Sequence, residues 1–140
     1  MIIYGTTTGF GGKVEANESI AKAAMRELEE EACIRGSNLI PHGTLLFTFK
    51  SRPEVMNVHV FCTSDFQGKV TESEEMLPKW YSASDIPFEQ MWADDKYWLP
   101  HVLDGKAVKG TFHFDDESTI LNYDLEVFPF VENSCINTLK

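Results

Sequence analysis

The sequence predicts one α/β domain of the α+β kind, and three observations carry that expectation. A length of 140 residues suits a single hydrophobic core. Helical spacing of apolar residues near 19–32 and again after Asp94 alternates with runs of β-branched and aromatic residues in the middle and at the end of the chain. Ten Phe, three Trp and four Tyr supply material for a core and for a stacking pocket, as in a globular protein and not a disordered one. The domain is expected to span 1–128, with 129–140 a loose tail; no internal repeat or low-complexity segment interrupts it.

Taken in order, residues 5–13 read as a loop, because Gly5, Gly9, Gly11 and Gly12 permit backbone conformations that a Cβ would forbid and allow close approach to a ligand. From about 19 to 32, Ile20, Ala24 and Leu28 form a helical stripe, with Asn17 or Ser19 as the cap and Lys22, Arg26, Glu29 and Glu30 on the opposite face. Residues 44–50 and 55–64 read as paired strands joined through Ser51-Arg52-Pro53. Gln67-Gly68 marks a turn, 79–82 a short strand, and Asp85-Ile86-Pro87 a turn into helical ground. Asp94 is placed to cap a helix through Trp98 and Val102 that stops at Gly105, with Pro100 keeping it short or kinked. Residues 109–114 and 120–128 then close a hairpin across Asp115-Asp116-Glu117-Ser118.

A net charge of −10 argues against binding to polymeric nucleic acid, which needs a basic surface. A phosphate ligand would therefore need a metal to mediate. Cys33, Cys62 and Cys135 have no zinc spacing and cannot all pair within one chain, so a reducing intracellular compartment is expected. The cytoplasm is the expected location, with nucleus and mitochondrion as alternatives. No segment approaches membrane-spanning length, so a soluble protein without membrane attachment, acting as a monomer, is expected.

The chemistry concentrates in the first helix. Arg26-Glu27-Leu28-Glu29-Glu30-Glu31 crowds carboxylates into the helix C-terminal half, where they face the negative end of the dipole and repel one another. A structural helix would carry lysines there, although a solvated acidic face is the plain alternative. Glu27 and Glu31 are one turn apart with Glu30 beside them, an arrangement that suits oxygen-ligated Mg²⁺ or Mn²⁺. Arg26 stands at i,i+4 to Glu30 and can orient a carboxylate within that catalytic set, and Glu18 can pair with the helix arginine or lysine. Loop N–H groups and Lys13 can hold the phosphate side.

Gly12, Glu18, Arg26, Glu27, Leu28, Glu30, Glu31 and Ile34 together match the signature of the Nudix hydrolases at each defined position but one, where Cys33 replaces glycine. The chain thus resembles that family. Phe10-Gly11-Gly12-Lys13-Val14, 57–63, Ile86-Pro87-Phe88, 91–98 and 119–123 bring it nearest to members acting on oxidised purine nucleoside triphosphates, a likeness running from about Gly9 to Val127. The resemblance implies an α/β/α sandwich with a mixed sheet and hydrolysis of a purine nucleoside triphosphate. It implies metal ligation by Glu27, Glu30, Glu31, Glu75 and the Gly11 carbonyl, and a base site of Trp92, Asp94 and Asp95 walled by Phe47, Phe49 and Met56. The readings left beside it are hydrolysis of another nucleoside diphosphate derivative and a weakly active nucleotide-binding module.

The residues give that base site a chemical sense. An indole face stacks on a purine for about 1–3 kcal/mol, although Trp92 as a plain core residue is the alternative. Adjacent carboxylates repel, so Asp94 and Asp95 are expected to share a proton near neutrality and to offer both a donor and an acceptor. Helix capping is the competing role for Asp94. Two departures from the family pattern stand upstream. The strands that precede the glycine loop in the family have only 1–4 as a stand-in, so an N-terminally truncated form of the fold is expected. Thr7-Thr8 replaces a tryptophan-asparagine pair, and the Thr8 hydroxyl cannot imitate an amide at the base. Cys33 should strain the helix end, where glycine often takes a positive φ.

Overall fold

The computed structural model describes residues 2–4, 15–36, 39–63, 66–69, 79–81, 83–116 and 118–129. Helix α1 covers Ile20–Ala32 and α2 covers Asp95–Leu103. The strands are β1 (Ile2–Tyr4), β2 (Arg35–Gly36), β3 (Ile40–Phe49), β4 (Arg52–Cys62), β5 (Phe66–Gln67), β6 (Lys79–Tyr81), β7 (Ala107–Phe114) and β8 (Ile120–Phe128). The main sheet is mixed, in the order β4-β3-β7-β8, with β3 and β7 parallel and the other pairs antiparallel. Two small antiparallel pairs, β1 with β6 and β2 with β5, complete the described strands.

The β3–β4 hairpin turns at Lys50-Ser51, tighter than the expected Ser51-Arg52-Pro53 connection because Arg52 and Pro53 already belong to β4, and β3 begins earlier than expected, at Ile40. A register shift between Pro41 and Gly43 accommodates the proline, which has no N–H to give the ladder. The parallel step from β3 to β7 needs a crossover, and α2 lies in that connection. The hairpin from β7 to β8 is held by Asp116, whose carboxylate accepts from the Ser118 N–H at 2.8 Å, the Ser118 hydroxyl at 2.9 Å and the Thr119 N–H at 2.9 Å. Those donors, the Ser118 backbone first, hold its carboxyl below the usual range.

The core lies between this sheet and α2. Leu45, Phe49, Val102, Val108, Phe112 and Phe114 form it, with Tyr97, Trp98 and Leu125 packed around them. Phe112 and Phe114 are fully buried, each contributing about 1.5–3 kcal/mol by removal from water. Cross-strand partners Met56, Phe47, Phe112 and Tyr123 form one continuous row, with Phe49 and Phe114 the next. This aromatic face carries the residues expected around a base.

Helix α1 starts at the serine that the sequence offers as a cap: the Ser19 Oγ accepts from the Lys22 N–H at 3.2 Å. Its buried stripe differs from expectation. Ala23, Leu28 and Glu31 are buried, whereas Ile20 is exposed and Ala24 only half-buried. The covered face is thus rotated toward the carboxylates. Neither an acidic residue in the first turn nor a basic one in the last turn supports the dipole, so α1 is charged against itself as the sequence indicates.

Candidate functional site

Arg26 organises the acidic helix. Its Nε donates to Glu18 Oε2 at 2.9 Å and one terminal nitrogen to Glu18 Oε1 at 3.2 Å, a forked bond that ties the segment before α1 to the helix. The other terminal nitrogen reaches Glu27 at 2.9 Å and Glu30 at 3.2 Å, and stands 3.9 Å from Glu15. The expected pairing with Glu30 is present, and Glu27 joins it. Hydrogen bonding to Arg26 pulls the Glu18 carboxyl below its ordinary range, and Glu18 in return raises the Arg26 guanidinium still further. Glu18 therefore takes the pairing role that the sequence suggests.

The three helix carboxylates are unequal. Glu31 is buried at 5% exposure, the Glu27 side chain is mostly covered, and Glu30 opens to solvent. A carboxylate in the covered stripe of an amphipathic helix is costly unless something holds its charge. Their donor set is all carboxylate oxygen, which fits a hard divalent cation. Among the described residues, no three His, Cys, Asp or Glu side chains are gathered closely enough to hold an ion, and Arg26 occupies Glu27 and Glu30. Thr8, Phe10, Gly11, Gly12, Lys13 and Glu75, expected around the phosphates, the base and the metal, lie outside the described residues.

The helix ends at Cys33, which has φ 60° and ψ 26° and donates its N–H to the Glu29 carbonyl at 3.0 Å. This is the left-handed cap at which the sequence comparison places glycine, and a Cβ there costs about 1 kcal/mol. Cys33→Gly should accordingly stabilise the chain by about 1 kcal/mol in urea unfolding. No change or a loss would show that the cap is not strained.

At the start of α2, Asp94 and Asp95 are both buried, at 3% and 8% exposure. Asp94 has helical φ and ψ and its side chain makes no cap bond, which corrects the capping role. Instead its Oδ2 accepts from the Trp98 indole N–H at 2.7 Å. Burial raises the Asp94 carboxyl above its ordinary range, against the Trp98 bond that lowers it. Burial, then the charge of Asp94 and a hydrogen bond with it, push Asp95 up to about 8. The proton of the pair is thus favoured on Asp95, which burial and the Asp94 charge both raise, while the Trp98 bond opposes protonation of Asp94.

Trp92 is 37% exposed, which excludes a plain core role, and its ring stands edge-on to Phe114 at 6.3 Å. Phe47 meets the same Phe114 edge-on at 5.8 Å, and Phe49 stacks on it at 5.6 Å. Phe114 is therefore the hub that joins Trp92 to the two phenylalanines. Phe49 is buried, with the Arg52 guanidinium 4.1 Å from its ring centre, so it backs the wall and does not line its surface. Met56 is exposed opposite Phe47. Sequence reasoning did not single out Phe114 or the Trp98–Asp94 bond. The second had a signal in the i,i+4 spacing on α2.

Two surface depressions are lined by described residues. One of about 510 Å³ includes Trp92, Met91 and Lys96. The other, about 290 Å³, lies on the opposite, polar face of the sheet against Asn57, Lys109 and Asp124, away from the base residues. Exposure of Trp92 to the first makes its indole available for stacking.

Known proteins bear directly on this geometry. The NUDIX domain model matches residues 4–102, about 70% of the chain, including all of α1 and the Trp92–Asp95 segment. This chain belongs to the Nudix family. Nudix hydrolases generally depend on a divalent metal, in keeping with the carboxylate donors of α1. The chain is 45% identical over 121 residues to the mouse oxidized purine nucleoside triphosphate hydrolase, covering 86% of this chain and 78% of the relative. It is 41% identical over 122 residues to the protein of the same name in Danio rerio, covering 87% and 78%. Among solved structures, it resembles the mutator MutT protein from Bacillus halodurans with a TM-score of 0.80 at 26% identity, covering 89% of this chain and 88% of that one. The mixed four-stranded sheet with two helices is thus a Nudix fold.

Proposed function

We propose that this Nudix protein hydrolyses oxidised purine nucleoside triphosphates, of the 8-oxo-dGTP and 2-hydroxy-dATP type, to the monophosphate and pyrophosphate, and so clears them from the nucleotide pool. The observation that carries this reading is the buried Asp94–Asp95 pair, one acceptor and one proton donor, placed on the same segment as the exposed indole of Trp92. The names of the mouse and Danio rerio relatives support it.

Although not gathered into a cage by themselves, Glu27, Glu30 and Glu31 on one stretch of α1 are the described residues that would contribute oxygens to Mg²⁺ or Mn²⁺, with Glu75 and the Gly11 carbonyl as further ligands. Such an ion supplies charge neutralisation for the triphosphate and lowers the pKa of the attacking water. Arg26 holds Glu27 and Glu30 in orientation through bonds at 2.9 and 3.2 Å. Trp92 stacks on the base, while Asp95 donates to and Asp94 accepts from its edge. The water oxygen bonds to a phosphorus of the triphosphate as the P–O bond between the α and β phosphates breaks, its proton passes to solvent, and monophosphate and pyrophosphate are released. The enzyme works as a monomer in the cytoplasm and takes a small nucleotide, not a nucleic-acid polymer.

Pyrophosphate release from 8-oxo-dGTP with Mg²⁺, compared with dGTP, dATP and a nucleoside diphosphate sugar, tests the reading. Preference for the oxidised purine is expected. Glu31→Gln should lower kcat/KM by at least about 100-fold, because it removes one anionic donor from the metal seat. Activity unaffected by that change would reject the seat, and preference for a nucleoside diphosphate sugar would reject the substrate.

A further inference from the structure

The Trp98 indole is a donor that the reaction described above does not use. It lies one turn after Asp94 in α2, and its Nε1 is 2.7 Å from Asp94 Oδ2. The ring packs against the main core and also against the smaller cluster of Ile86 and Leu99, so two sides fix its orientation. An indole N–H only donates. Such a bond favours the ionised form of its carboxylate partner and cannot accept from a protonated one.

We propose that Trp98 is a positioning residue that allocates the proton of the aspartate pair, holding Asp94 as the acceptor and leaving the donor on Asp95, and thereby sets which purine edges the site accepts. This inference rests on the base-reading role given to the pair above. The surroundings favour it. Among the described residues, the influences on Asp95 are burial and Asp94, and those on Asp94 are burial, Trp98, Asp95 and its own backbone. No lysine, arginine or histidine among the described residues acts on either carboxyl. The neighbouring Lys96 is drawn over the Tyr97 ring, 5.2 Å from its centre. Without the indole, Asp94 would keep only the bond from its own backbone N–H to favour its charge over that of Asp95, and the proton would divide more evenly between them.

The test compares Trp98→Phe, which keeps a ring but loses the donor, with Trp98→Gln, which restores an N–H. A hydrogen bond to a charged group contributes about 1.5–3 kcal/mol, so its loss should raise the acid limb of the pH profile of kcat/KM by about one unit. The ratio of kcat/KM for oxidised guanine to oxidised adenine nucleotides should shift about tenfold in Trp98→Phe and return toward the parent value in Trp98→Gln. A uniform fall for both nucleotides with an unmoved pH profile would assign Trp98 to packing alone and overturn the proposal. The unmodified chain provides a measurement that does not depend on the variant folding. By NMR, the Trp98 indole N–H should shift as Asp94 gains its proton, in the lower of the pair's two titration steps, not with the ionisation of Asp95. An indole resonance that follows only the higher step would refute the allocation. Failure of the unmodified chain to hydrolyse either oxidised purine would reject the substrate reading instead, and the indole titration would still decide where the proton sits.

Discussion

Alanine at Gly43 should unfold the chain. Gly43 has φ +121°, a region that L side chains rarely adopt, and a Cβ built there would lie 1.7 Å from the Val108 carbonyl oxygen. That oxygen is backbone within the parallel pairing of β3 and β7, where Gly43 stands opposite Val108. Relief would require either strand to move, and β3 is held on its other side by β4, with Gly43 opposite Val60. Val108 belongs to the core and is fully buried, so displacement of β7 would also open the packing against Val102. Backbone strain and overpacking together should exceed about 4 kcal/mol, a large part of the roughly 5–15 kcal/mol that holds a domain folded. Circular dichroism melting of Gly43→Ala should show no cooperative transition, or one lowered by more than about 15 °C. Thr44→Ala, one residue further along β3, should melt within a few degrees of the parent. A Gly43→Ala variant that melts like Thr44→Ala would contradict the close approach.

The same glycine marks a limit of what the sequence discloses. Thr44, Leu45 and Phe47 announce a strand by composition, and Ser51-Arg52-Pro53 announces its hairpin. Nothing local says that β3 also pairs in parallel with β7, more than fifty residues later. The demand for glycine arises from that distant backbone, so it could not be read from neighbouring residues. The acidic helix is the opposite case. Glu27, Glu30, Glu31 and Arg26 lie within one or two turns, and i,i+4 spacing alone places the Arg26 bond to Glu30, whereas its bond to Glu27 at i,i+1 is not one that helix spacing announces. Even there the buried stripe was misplaced, because the partners that cover Ala23 and Glu31 are tertiary. The positive φ of Cys33 was legible because helix termini impose it locally. At the base site, Trp92, Asp94 and Asp95 were legible as residue types on one short segment, while Phe114 reaches them only through the fold of β7.

Asp95→Asn should change the pH dependence of stability in a definite direction. Asp95 titrates near 8 in the folded chain, raised first by burial and then by Asp94, against an ordinary value of 3.8 in the unfolded chain. Below about pH 4 both states carry the proton and the site costs nothing. As pH rises from about 4 toward 8 the unfolded state gives up its proton first, so the folded state binds more protons and its stability falls across that window. Above about 8 both states are ionised and the loss is complete. Asparagine cannot ionise, yet its amide can still donate to Asp94 as the protonated acid does. The variant should therefore match the parent near pH 4 and exceed it by a few kcal/mol at pH 8, where the parent holds two charges together in a buried site. Urea unfolding of both proteins at pH 4, 6 and 8 measures the difference, and parallel pH slopes would show that Asp95 is not held protonated. The same substitution separates the two carboxylates in function. Asp95→Asn should retain hydrolysis of one oxidised purine, whose recognition needs a donor at that position, whereas Asp94→Asn should lose both, because the Trp98 N–H takes its one amide oxygen and leaves an NH2 donor where the base needs an acceptor. Equal retention of both activities in both variants would show that the pair does not read the base.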